Sequence, residues 1–189
     1  MRAVRLSDSP AVFAIDGFLS LAEREALEDR GGDWARIAAA GSKHDATGFS
    51  WELPIFGDAL VEAVCARVDA AVGLSDAFHD TLRFRRYSPG EGHPAHLDHY
   101  RAIGHALVLT AMLVLEAPRA GGETVFPHAT GGPLAVVPVP GRLVWWWNVR
   151  ADGRPDPASL HLGDGVRRGQ KVTLTRFVYR PEGEALPLR

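Results

Sequence analysis

His96 and Asp98 stand two apart, His161 follows in a later segment, and Lys171 comes ten residues after that. On a β-strand, residues i and i+2 point to one face, so His96 and Asp98 would project into a common space. A neighbouring strand carrying His161 across from them completes two imidazoles and one carboxylate on one side of a metal ion. Such a set leaves coordination positions open. It suits non-haem Fe(II) oxygen chemistry, and with water in a fourth position it also suits Zn(II)-assisted hydrolysis. An H-x-D pair carries little weight alone in a chain with 8 histidines and 23 acidic residues; its surroundings give it meaning.

The elements that must position these residues fall into two textures. In the first third, Ser20 and Glu23 form a capping box ahead of LAEREALEDR, a helix expected to stop at Gly31-Gly32. A second helix is expected over 58–72, with Leu60, Val61, Val64, Val68 and Val72 as one apolar stripe. From Thr81 onward the pattern is short β-prone runs broken by Gly and Pro, with strands expected over 82–87, 95–99, 106–115, 123–126, 134–137, 142–147, 159–162 and 171–179. No helical pattern interleaves them, so a parallel α/β sheet is excluded. The expectation is a mainly β domain spanning 1–189: helical support over about 1–80 and a double-stranded β-helix, or jelly roll, over about 81–180. In the last strand Lys171, Thr173, Thr175 and Phe177 share one parity and would line a pocket, while Val172, Leu174 and Val178 would pack beneath the helices.

Composition narrows the classes. The chain has 189 residues, 46% of them hydrophobic and 23% charged, enough for a sizeable core. A net charge of -2 supplies no basic field for nucleic acid or an anionic membrane. A local patch at Arg83, Arg85 and Arg86 reads as the solvated edge of a strand. The one cysteine, Cys65, is what a reducing compartment permits. The opening apolar run, 11–15, is too short for a signal peptide, so a cytoplasmic location is expected. Oligomeric state is open.

The second half resembles the prolyl 4-hydroxylase-like branch of the Fe(II)- and 2-oxoglutarate-dependent dioxygenases. The resemblance rests on RYSPGEGHPAHLDHY over 86–100, LTAMLVLEAPRAGGETVFP over 109–127 and PGRLVWWWNVRADGRPDPASLHLGDGVRRGQKVTLTRF over 140–177. It implies that His96, Asp98 and His161 bind Fe(II), that O2 and 2-oxoglutarate are cosubstrates with ascorbate as a stimulant, and that Lys171 pairs with the far carboxylate of 2-oxoglutarate. Tyr87 falls at a 2-oxoglutarate-bonding position, and Thr110 on the strand beside that pocket. An anion at the pocket floor needs a cation, and a lysine on a neighbouring strand supplies it.

Departures fall on the substrate side. His93 stands where peptide-hydroxylating relatives carry tyrosine, Leu107 where they carry a substrate-contacting arginine, and Phe177 where they carry tryptophan. The long polar segment 38–53 lies where relatives have a substrate lid. These features favour a protein or peptide substrate, with a free amino acid or small natural product as the alternative and a non-catalytic or zinc-binding cupin-like module as the rival class. Asp98 argues against a halogenase, whose halide needs the carboxylate's place. His99, His105 and His128 are expected to stay off the metal. GGET at 121–124 reads as a tight turn, and Trp145, Trp146 and Trp147 as core with one at the pocket border. Asp156 reads equally as a ligand-orienting group or a turn cap.

Overall fold

A computed structural model describes residues 2–37, 43–45, 48–75 and 81–187. Its strands in chain order are β1 (Val4–Asp8), β2 (Ala11–Ile15), β3 (Lys43–Asp45), β4 (Gly48–Pro54), β5 (Thr81–Tyr87), β6 (His93–His96), β7 (Arg101–Ala102), β8 (His105–Glu116), β9 (Ala120–Gly121), β10 (Thr124–Phe126), β11 (Leu134–Val136), β12 (Leu143–Trp147), β13 (His161–Gly163), β14 (Val166–Arg168) and β15 (Lys171–Pro181). The helices are α1 (Leu21–Ile37) and α2 (Ala59–Val72). A major antiparallel sheet runs β1-β2-β12-β8-β15-β5-β4-β3, and a minor one runs β11-β10-β13-β6. This is the expected jelly roll with its two helices.

The major sheet is buried on both faces, which explains why β8 reads as a nearly unbroken apolar run. On its outer face Leu109, Leu113 and Leu174 pack with Leu27 of α1 and Val61, Val64 and Val68 of α2. Between the sheets Met112, Val144 and Trp146 meet Phe126 and Val136. Arg176, of outward parity on β15, is buried yet anchored by a bidentate pair to Asp69 of α2 at 2.8 and 3.1 Å.

Two expectations about the first third need correction. The segment is not helical support alone, because β1–β4 extend both ends of the major sheet. Nor does α1 stop at Gly31-Gly32. A Cβ on Gly31 would sit 2.0 Å from the Phe84 ring, so this glycine lets β5 approach the helix. Close packing offsets the propensity cost of about 1 kcal/mol for a mid-helix glycine. The capping box is present: Glu23 N donates to Ser20 Oγ at 3.2 Å, and Ser20 N to Glu23 Oε2 at 2.9 Å. α2 begins as expected, with Asp58 accepting from the Leu60 and Val61 amides.

Of the segment 38–53, residues 38–42 and 46–47 lie outside the described residues. The rest forms the β3–β4 hairpin at the sheet edge. No helix among the described residues is long and apolar enough to cross a membrane.

Candidate metal centre

β6 ends at His96 and β13 starts at His161, and the register sets the two directly opposite each other. Strand pairing therefore accounts for the two histidines but not for Asp98, which lies just past the end of β6. Its carboxylate reaches the same space from the following loop. One ligand atom from each of His96, Asp98 and His161 lies within 4.8 Å of the others. Asp98 Oδ1 is 3.4 Å from His96 Nε2, and Oδ2 is 3.7 Å from His161 Nε2.

Each imidazole is oriented through its other nitrogen. His161 Nδ1 lies 3.0 Å from the Ser159 carbonyl, and His96 Nδ1 2.9 Å from that of Pro94. A carbonyl accepts only, so each Nδ1 carries the proton and each Nε2 lone pair faces the centre. Burial holds His161 below the ordinary histidine range against the pull of Asp98, which keeps it neutral. Burial also opposes charge on His96, but the nearby Asp98 carboxylate and Pro94 carbonyl outweigh that and raise it. Asp98 is held low: burial raises it, and His96, His161 and the Thr110 hydroxyl more than offset the rise.

Thr110 does more than flank the pocket. Its hydroxyl donates to Asp98 Oδ2 at 2.8 Å and accepts from Asn148 Nδ2 at 2.9 Å. Asn148 escaped the sequence reading, having no spacing that links it to the ligands. Asp156 is the turn cap: it accepts from Ala158 N at 3.0 Å and holds the 3-10 turn whose Ser159 carbonyl orients His161.

Lys171 is 4% exposed. Its ammonium donates to the Gly122 carbonyl at 2.7 Å and lies 3.5 Å from the Thr124 hydroxyl. Among the described residues no carboxylate pairs with it, and burial pushes it down to about 8. GGET is not the expected tight turn: Gly121 ends β9 and Thr124 begins β10, both glycines have φ +79°, and the Gly122 carbonyl and Thr124 hydroxyl cradle Lys171. Tyr87, opposite Lys171 in register, is buried and its phenol is pushed upward, so it stays protonated.

A cavity of about 420 Å³ joins these groups. Thr173, Thr175 and Phe177 line it beside Lys171, as their parity implied, and so does Trp146 alone of the three tryptophans. His93 lines it too, but its Nδ1 lies 3.1 Å from His96 Nδ1. Burial and the neighbouring His96 hold His93 to about 4, so it is neutral, and its Nδ1 also lies 3.2 Å from the Pro94 carbonyl. It touches a ligand as well as the cavity. Leu107 is a correction: it is fully buried and does not line the cavity. His99 and His128 are exposed, and neither they nor His105 belong to the ligand cluster.

No protein-family model matches the chain. Prolyl 4-hydroxylase 2 of Arabidopsis thaliana is 28% identical over 145 residues, covering 65% of this chain and 48% of the relative. A viral collagen prolyl hydroxylase from Paramecium bursaria Chlorella virus-1, solved with 2-oxoglutarate, superposes with a TM-score of 0.73 at 20% identity, covering 90% of this chain and 95% of that one. The chain resembles prolyl 4-hydroxylases in sequence and in fold. A prolyl-4-hydroxylase from Pseudomonas putida gives a TM-score of 0.65 at 21% identity, with 91% and 93% covered. The chain spans about half the length of several curated relatives it matches. The solved structures speak to its fold.

Proposed function

We propose that this chain is an Fe(II)- and 2-oxoglutarate-dependent dioxygenase that hydroxylates a C–H bond in a protein or peptide, with a prolyl residue the first target to test. The observation that carries the reading is the pairing of two groups in one cavity: a His-Asp-His set with open positions, and a buried ammonium lacking an anion. Two imidazole Nε2 atoms and one ionised carboxylate fit a divalent iron. When bound, that iron couples decarboxylation of 2-oxoglutarate by O2 to insertion of one oxygen atom into a C–H bond.

The chain's own residues bind, orient and exclude. His96, Asp98 and His161 would hold the metal, with Thr110 and Asn148 fixing Asp98. Lys171 would take the far carboxylate of 2-oxoglutarate, and the Tyr87 hydroxyl would hydrogen-bond the same molecule. Trp146 packs edge-on against His161 at 4.8 Å and Phe126 lies 5.6 Å away, walling the ligand from water. About 420 Å³ admits the cosubstrate and one side chain. A peptide would therefore present a single residue to the metal, and a free amino acid is the other guest that fits.

The test is 2-oxoglutarate consumption with Fe(II), O2 and ascorbate, with mass analysis of proline-containing peptides and free amino acids for one added oxygen. Succinate formed with Fe(II) but not with Zn(II) is the expected result. Absence of 2-oxoglutarate turnover, with hydrolysis supported by Zn(II), would replace this reading with the zinc one.

A further inference from the structure

The cavity holds one cation more than the proposed chemistry uses. Three arginines lie on β5, and two have acidic partners. Arg83 donates to Glu52 at 2.7 Å, its cross-strand neighbour on β4. Arg86, on the opposite face, pairs with Glu28 of α1 at 3.5 Å. Arg85 points into the cavity between Arg83 and Tyr87 and is partly buried. Its cross-strand neighbours are Ser50 on β4 and Thr173 on β15, both neutral. Its other neighbour, the Tyr87 hydroxyl, is neutral as well. Among the described residues no carboxylate lies within ion-pair distance of it.

A second observation falls at the same place. Ser50 lines the cavity, and its Oγ is buried without a hydrogen-bond partner among the described residues. Buried hydroxyls are normally satisfied, so an idle one beside a guanidinium that bonds the neutral Tyr87 phenol and has no carboxylate marks a seat for an absent acceptor. That acceptor is not the cosubstrate. The two carboxylates of 2-oxoglutarate are taken by the metal and by Lys171, and Arg85 sits one same-face step along β5 from the Tyr87–Lys171 pair, roughly 7 Å away.

We propose that Arg85 and Ser50 form a carboxylate-binding subsite for the primary substrate, a proposal that rests on the oxygenase reading above. The substrate is then acidic near its reacting carbon. The carboxylate comes either from an acidic side chain beside the target residue in a peptide or from the end group of a free amino acid. Arg85 supplies the planar two-donor fork that a carboxylate matches, and the Ser50 hydroxyl a third donor.

The test uses anaerobic protein loaded with Fe(II) and 2-oxoglutarate, so that binding is read without turnover. Calorimetry compares acetyl-Ala-Glu-Pro-Gly-amide with its Gln counterpart, and free L-proline with L-prolinamide. Failure of the loading titration itself would mark failure of the oxygenase reading, separately from any outcome at the subsite. The expected result is that the acidic member of one pair binds about tenfold tighter or more, the scale of a charge-assisted contact. That preference should shrink to within about threefold in Arg85→Gln, survive in part in Arg85→Lys, and weaken in Ser50→Ala. The pair that shows it identifies the source of the carboxylate. Equal binding in both pairs, or a preference that persists undiminished in Arg85→Gln, overturns the proposal. So does a loss of 2-oxoglutarate affinity in Arg85→Gln as large as that in Lys171→Met.

Discussion

Replacing Lys171 by methionine should move two quantities in opposite directions. The unliganded protein buries the Lys171 ammonium with a carbonyl and a hydroxyl as partners and no carboxylate, and its pKa falls from 10.5 to about 8. At about 1.4 kcal/mol per tenfold change in proton affinity, keeping the charge costs the unliganded fold roughly 3 kcal/mol. Methionine matches the length, removes that cost and leaves the Gly122 carbonyl without its donor, a loss of about 1–3 kcal/mol. The two nearly offset, so unliganded Lys171→Met should be as stable as the parent or up to about 2 kcal/mol more so, a Tm equal or several degrees higher. Cosubstrate binding should suffer by about 2–5 kcal/mol, or roughly thirty-fold to several thousand-fold in Kd. Melting with and without 2-oxoglutarate reads both numbers: the parent gains about 2.7 kcal/mol at a hundred times its Kd, and the variant gains less than about 1 kcal/mol at that concentration. A variant that is clearly destabilised when unliganded and still binds 2-oxoglutarate like the parent would show that Lys171 is a structural cation, and would refute its role at the cosubstrate.

The same lysine sets a pH dependence. Between about 8 and 10.5 the unfolded chain holds a proton that the unliganded fold has lost, so unliganded stability should rise with pH across that window. Cosubstrate affinity should be flat below pH 8 and fall above it, with proton uptake on binding that calorimetry in buffers of different ionisation enthalpy would detect. His161→Ala should abolish stoichiometric iron binding together with 2-oxoglutarate consumption; full iron content in that variant would remove His161 from the ligand set. Thr110→Val takes the donor from Asp98 and should weaken the metal about 10–100-fold with the fold intact, checked by metal titration. Gly31→Ala sets a methyl against the Phe84 ring and should cost about 1–3 kcal/mol in urea unfolding, and no loss there would mean the helix simply shifts.

The metal centre was more legible than the strands that carry it. Ordered spacing identified His96, Asp98 and His161 as one cluster, although Asp98 reaches it from a loop and not from the strand face that spacing suggested. Parity along β15 was readable because an inward polar row alternates with an outward apolar one. The amino-terminal strands were not, since β1 and β2 are five residues each, and the β2 on which β1 pairs joins the sheet through β12 far along the chain. Gly31-Gly32 looked like a stop because a close approach between helix and strand leaves no local trace. Leu107 falls where peptide-hydroxylating relatives carry a substrate-contacting arginine, but this apolar residue is buried away from the cavity. Asn148 and Ser50 lie far in sequence from the residues they serve, and only folding brings them near.

The proposed metal ligands and the Lys171 ammonium belong to different sheets. His96 and His161 stand on the minor sheet, whose strands have three or four residues, whereas Lys171, Tyr87 and Thr110 stand on the major one, where β8 has 12 and β15 has 11. Ladders that short carry few bonds and open at low free energy, while long central strands exchange their amides only when the whole protein unfolds. A molecule stretched from the metal to Lys171 acts as a rivet between a soft plate and a stiff one. Loading the site should therefore slow amide exchange most along β6 and β13, and change it least along β8 and β15. The plate that carries the metal ligands is then the one that gains its rigidity from what it binds.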